Sequence, residues 1–158
     1  MGYTIVLTLH NITRWLVIVF GILAIVRGFT GISRGRKWDK ADDRAGMLYS
    51  TLLDVQLLLG LLLYFLLSPI TTLALKDFGA AMANAALRYF SVEHAFIMLL
   101  AVIVAHVARA LSKKAKTPRR QHLTAAVGYA ISFLMILAAI PWPFLANGRP
   151  LLRFFGLF

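Results

Sequence analysis

The sequence contains no cysteine. That excludes structural disulfides, thiolate-held iron–sulfur clusters and the C-x-x-C-H attachment of c-type haem. Acidic residues are scarce, with six Asp and Glu against 17 Lys and Arg in 158 residues, for a formal net charge of +11. No glycine-rich phosphate loop, no H-E-x-x-H and no nucleophile–base spacing is present, which removes the usual phosphoryl-transfer, zinc-protease and hydrolase readings. The first apolar run is not preceded by a basic region or followed by a small-residue cleavage site. It is therefore expected to be a retained helix, not a removed signal peptide.

What is there is mostly apolar. Hydrophobic residues make up 60% of the chain and charged ones 15%, with a mean hydropathy of +0.78. A soluble domain of this length cannot cover so much apolar surface, so residues 1–158 are expected to form one integral membrane domain. Four apolar runs stand out, at about Thr4–Phe29, Met47–Leu67, Tyr89–Leu111 and Leu123–Leu145. Each is close to the ~20 residues that cross a hydrocarbon core.

The charge lies between these runs. Loop 30–46 and its flanks hold Arg27, Arg34, Arg36, Lys37, Lys40 and Arg44. Loop 112–122 and its flanks hold Arg109, Lys113, Lys114, Lys116, Arg119 and Arg120. Lys76 and Arg88 separate runs two and three, and Arg149 and Arg153 follow run four. The positive-inside rule puts both basic loops in the cytoplasm and both termini outside. The expected fold is thus all-α: an antiparallel four-helix bundle in the membrane, N-out/C-out. Basic blocks in this arrangement mark topology and attraction to anionic lipid rather than nucleic-acid binding. Around the spans, Trp38, Asp39, Asp42 and Asp43 suggest a polar turn ending in a short amphipathic piece. Ser68-Pro69 should stop the second helix, 73–84 should form a short outer helix or loop, and Pro141-Trp142-Pro143 should close the fourth.

Ionisable side chains inside spans are costly and usually functional. The segment Arg88–Leu111 carries Glu93, His94 and His106. At 3.6 residues per turn, Met98, Ala101, Ala105 and Ala108 fall within about 40° of His94. On the first helix Arg14, Val17, Gly21, Ala24 and Gly28 lie below His10 in the same way. Both histidines belong to the outer third of the membrane, on helices that can lie diagonally in a bundle. Two neutral imidazoles facing each other over columns of small residues can ligate a b-type haem (heme b). The other reading of the same columns is close helix packing.

His106 and His122 are candidates for a second haem site nearer the cytoplasm, although His106 lies about 120° round from His94 and about 18 Å deeper. Arg14 needs a partner, and Glu93 on the facing helix is the expected one, as a structural ion pair or a group acting on a haem propionate or a quinone carbonyl. Asp54 could belong to a proton path or to a hydrogen-bonded helix contact. Arg88, Arg149 and Arg153 gather at the outer surface, suited to propionates or lipid phosphates.

The motifs HNITRW, DVQLLLGLLLYFLLSP, RYFSVEH followed by Met98, and IPWPF occur in this order. In them the chain resembles a family of short bacterial four-span membrane proteins labelled cytochrome b, over most of its length. The resemblance implies a four-helix bundle in the bacterial inner membrane with His10 and His94 as haem ligands. Where members of that family carry a further His, this chain has Leu53-Asp54, which argues against a second bis-His site. With b561-type cytochromes the similarity is one of architecture.

The leading expectation is an electron carrier that exchanges electrons with a quinol or with a respiratory or photosynthetic complex, as a subunit of a larger assembly. A haem-free accessory or scaffold subunit and a small transporter or proton conductor using Arg14, Asp54 and Glu93 are the alternatives. Any enzymatic role would be redox.

Overall fold

The computed structural model describes residues 1–153 and is built of helices joined by turns, with no strand among the described residues. Helix α1 spans Gly2–Ser33 and α2 spans Lys40–Leu62, the latter continuing through a π-helical turn at Leu63–Leu67. Short helices α3 (Pro69–Lys76), α4 (Phe78–Ala83) and α5 (Ala85–Arg88) follow. A second π-helical turn, Tyr89–Glu93, leads into α6 (His94–Lys114), and α7 spans Pro118–Ala139. Four segments are long and apolar enough to cross a membrane: Gly2–Ser33, Lys40–Leu67, Ala85–Lys114 and Pro118–Ala139.

Local chemistry explains where these helices begin and end. Gly35 takes a φ of +59° after α1, a conformation that costs glycine little, and the Arg36 N–H turns back to the Gly31 carbonyl. Helix α2 starts seven residues before the expected Met47. Asp39 caps it by accepting from the Ala41 and Asp42 amides while the Asp42 carboxylate accepts from the Asp39 amide, a reciprocal capping box. Ser68 caps α3 with Pro69 in its first turn, where the missing N–H does no harm. The fourth helix departs from its expected span at both ends. It begins at Pro118, capped by Thr117, and stops at Ala139 with Ile140 extended, because Pro141 disfavours helical geometry in the residue before it.

Helix α1 packs on α2 and α7, and α6 packs on α7 and α2, so α1 and α6 are the diagonal pair. The inside of this arrangement is small and polar and the outside is large and apolar. Ala101, Ala105, Ala125 and Ala126 are fully buried, whereas Leu58, Phe65, Phe96 and Leu134 are largely exposed. That inversion suits a lipid environment, where close approach of helices rather than apolar burial holds a bundle together. A buried hydrogen-bond chain crosses the centre: the Ser132 hydroxyl donates to the Ala101 carbonyl at 2.8 Å and lies 3.0 Å from the Tyr49 hydroxyl.

At the end bearing loop 30–46, a clasp of charges ties α1 to α2. Arg27 and Arg36 both reach Asp42 (2.9 and 3.1 Å), whose side chain is buried, and both also bond Asp39 at 3.1 Å. The hydrogen bond from the Asp42 main-chain N–H is the largest influence holding the Asp39 carboxyl below the usual carboxylate range. Burial opposes it, and the Ala41 N–H and the Arg27 charge add to it. Bonding to the Asp42 carboxylate likewise raises the Arg36 guanidinium above its ordinary value.

Candidate functional site

Between α1, α2 and α6, and under the segment that follows α7, lies a cavity of about 660 Å³. That is within the range of sites that take cofactor-sized molecules. His10, Arg14, Gln56, Gly60, His94 and Met98 line it, as do Arg149 and Arg153 from the carboxy-terminal segment. The diagonal histidines therefore open into one space.

Each histidine is held differently. The Nδ1 of His94 lies 2.7 Å from the Ala139 carbonyl oxygen, at the last residue of α7. A carbonyl only accepts, so this contact puts the ring hydrogen on Nδ1 and leaves a lone pair on Nε2. The Tyr89 hydroxyl donates to the same oxygen at 2.9 Å, and the Tyr89 and Phe90 rings flank the imidazole. His10 rests against α2 beside Gly60, where a Cβ would be in ordinary contact with His10 Cε1 at 3.5 Å. The Gln56 side-chain amide donates to the His10 carbonyl at 3.0 Å. His10 Nδ1 is buried and has no hydrogen-bond partner among the described residues.

Arg14 is nearly buried in the cavity wall, and its guanidinium donates to the Leu151 carbonyl. The Trp15 indole donates to that same oxygen at 2.9 Å. These two bonds fold the carboxy-terminal segment back over α1. The expected Arg14–Glu93 pair is not formed. Glu93 instead accepts from Arg88 at 2.8 Å, because a partner five residues away on the same rod is nearer than one across the bundle. Arg88 also reaches the Met82 carbonyl and does not line the cavity, contrary to its expected place beside a cofactor. Arg149 does line it, with its guanidinium stacked 4.8 Å over Phe90.

His106 and His122 are not brought together. His106 Nε2 lies 3.2 Å from Asp54 Oδ1 across the α2–α6 seam. His122 is completely buried against the Trp38 ring and Gly31, with its Nε2 4.0 Å from Asp42. The two have different partners because His106 lies half-exposed on the α2–α6 seam whereas His122 is enclosed beside α1.

No family model matches the chain, and neither a curated protein nor a solved structure matches it. Among the described residues there is no group of three or more His, Cys, Asp or Glu side chains of the kind that holds a bare metal ion. The cavity is thus a two-histidine site with cationic side chains in its wall. Sequence reasoning overlooked that Gln56 bonds His10 and that Gly60 lies beside it. Their i, i+4 spacing on α2 was the available signal, but nothing in it pointed to α1.

Proposed function

We propose that the protein is a membrane-embedded b-type cytochrome, an electron carrier whose haem would be held between α1 and α6 by His10 and His94. One observation carries this reading: two histidines from diagonal helices line a single cofactor-sized cavity. The donor set fits the group. A haem brings its iron already bound by the macrocycle, so two histidine side chains would suffice to hold it, and a ligating histidine typically gives its other ring N–H to a carbonyl, as His94 does to Ala139. Bound haem would supply one-electron chemistry. The chain would orient the two imidazoles, exclude water with apolar walls, and offer Arg14, Arg149 and Arg153 to the propionates.

The same reading takes the helices as an antiparallel bundle with both termini outside. The basic residues of loops 30–46 and 112–122 support it. A bacterial inner membrane suits the resemblance to the short cytochrome b family. A quinol, or a respiratory or photosynthetic complex in which this chain is a subunit, is the partner class that a small bundle without a substrate domain would serve.

A reduced-minus-oxidised spectrum of the purified protein tests the proposal. A haem signal is expected in the wild type and in His122→Ala, and is expected to be lost in His10→Ala and in His94→Ala. A colourless wild type, or haem retained in either ligand variant, refutes it. The Asp54–His106 pair favours a second reading, a proton conductor. It predicts proton flux in liposomes that Asp54→Asn abolishes, and unchanged flux would remove it. A haem-free accessory subunit is the outcome if neither signal is found.

A further inference from the structure

Two buried polar atoms at the α1–α2 interface lack partners among the described residues: Nδ1 of His10 and Oε1 of Gln56. They belong to residues already joined, since the Gln56 amide nitrogen donates to the His10 main-chain oxygen at 3.0 Å. That bond also fixes which way the amide faces, because only the nitrogen can donate to a carbonyl. Gly60 lies one turn beyond Gln56 on the same face of α2. A Cβ at Gly60 would be 3.5 Å from His10 Cε1 and 3.9 Å from Nδ1, so this edge of the imidazole faces α2. A buried imidazole N–H and a buried amide oxygen left unpaired are each costly. The terminal torsion of a glutamine side chain is broad, which leaves Oε1 free to turn toward Nδ1.

We infer that Gln56 is the positioning residue of His10, gripping it at two points: Nε2 on the main-chain carbonyl and Oε1 on the Nδ1 hydrogen. This rests on the haem reading for its purpose. With Nδ1–H held by Gln56, the His10 Nε2 lone pair is free, as that of His94 is with Nδ1 on the Ala139 carbonyl. Both imidazoles then have the same tautomer, one set by an α2 side chain and the other by the main chain at the end of α7. The two partners differ in one respect. The His94 acceptor is main chain and no substitution removes it, whereas the His10 acceptor is a side chain that can be exchanged.

Two readouts on the full-length protein in detergent test the inference. Nitrogen NMR of the haem-free ¹⁵N-histidine protein reports the His10 tautomer, since ligation at Nε2 would by itself place the hydrogen on Nδ1. The Nδ1–H form is expected in the wild type and in Gln56→Glu, and is expected to be lost in Gln56→Leu. The haem midpoint potential is expected to fall in Gln56→Glu, where a carboxylate draws on the Nδ1 hydrogen and makes the ligand more electron-rich, and to rise in Gln56→Leu. A purely structural glutamine would not move the two variants in opposite directions. An unchanged tautomer in Gln56→Leu, or one potential for all three proteins, overturns the inference. If no haem is bound the cytochrome reading fails, and the tautomer alone decides. If Gln56→Leu does not fold, the near-isosteric Gln56→Glu carries the test, and an unshifted potential in it is the overturning result.

Discussion

Asp54 and His106 meet across the seam between α2 and α6, Oδ1 to Nε2 at 3.2 Å, with about half of each side chain exposed on the outer surface of the helices. Asp54 stands 14 residues inside the Lys40 end of its span and His106 eight residues inside the Lys114 end, roughly 21 and 12 Å along the helix. Neither would remain at that depth alone without cost. Asp54→Asn and His106→Gln are each expected to lower the unfolding midpoint in detergent. The double replacement Asp54→Leu with His106→Leu should recover much of that loss, since removing both partners leaves no orphan. A double-mutant cycle should give a coupling of about 0.5–3 kcal/mol. Simple additivity would show that the contact contributes nothing.

The fit of His122 under α1 gives a second expectation. Gly31 passes so close that a Cβ would overlap the imidazole ring, and that ring is completely enclosed. Gly31→Ala should therefore destabilise the protein by about 1–3 kcal/mol, the usual cost of overpacking. In a His122→Ala background the same substitution should be nearly neutral or stabilising. Thermal denaturation of the four proteins decides it. An equal cost of Gly31→Ala in both backgrounds would mean that His122 is not what the glycine accommodates.

Much of this was readable in the sequence, for physical reasons that differ from residue to residue. The four spans follow from run length, and the shared cavity of His10 and His94 follows from helical period and matched depth. The start of α2 was missed because an Asp-x-x-Asp box looks like an ordinary acidic turn until both reciprocal bonds form. The end of α7 was placed too late because Trp142, Phe144 and Leu145 extend the apolar run past Pro141, and backbone geometry outweighs hydropathy there. Period and spacing could not reveal that Arg14 Nη2 donates to a main-chain carbonyl 137 residues away. The Asp54–His106 pair was legible from depth, but it was obscured by looking for histidine partners for histidine.

Asp39 should make the amino-terminal turn of α2 acid-sensitive. Its carboxyl sits below the ordinary range in the folded protein. The stabilisation it provides is therefore complete above the unfolded value of about 3.9, and it is lost as pH falls through the lower folded value. Protection of the Ala41 and Asp42 amides from exchange, taken relative to the intrinsic rate at each pH, should be high above that window and fall on acidification. Asp39→Asn keeps a capping oxygen and should flatten the acid dependence, whereas Asp39→Ala should leave protection low at every pH. The same pH profile in wild type and Asp39→Asn would assign the sensitivity to another group.

The chain Tyr49–Ser132–Ala101 has a definite direction, and that direction sets an asymmetry between two single mutants. Ser132 has one hydroxyl hydrogen and gives it to the Ala101 carbonyl, so the Tyr49 hydroxyl must be the donor in its 3.0 Å contact with Ser132. Ser132→Ala leaves the buried tyrosine hydroxyl without an acceptor and should cost about 1–3 kcal/mol. Ala101 loses little, because its carbonyl still accepts within α6. Tyr49→Phe leaves Ser132 bonded and should cost less, about 0.5–1.5 kcal/mol. The double variant should be no less stable than Ser132→Ala alone, since it removes the stranded hydroxyl along with its acceptor. Denaturation midpoints of the four proteins measure this. If Tyr49→Phe proves the more damaging single change, the donor runs the other way and Ser132 is held by the tyrosine, not by Ala101.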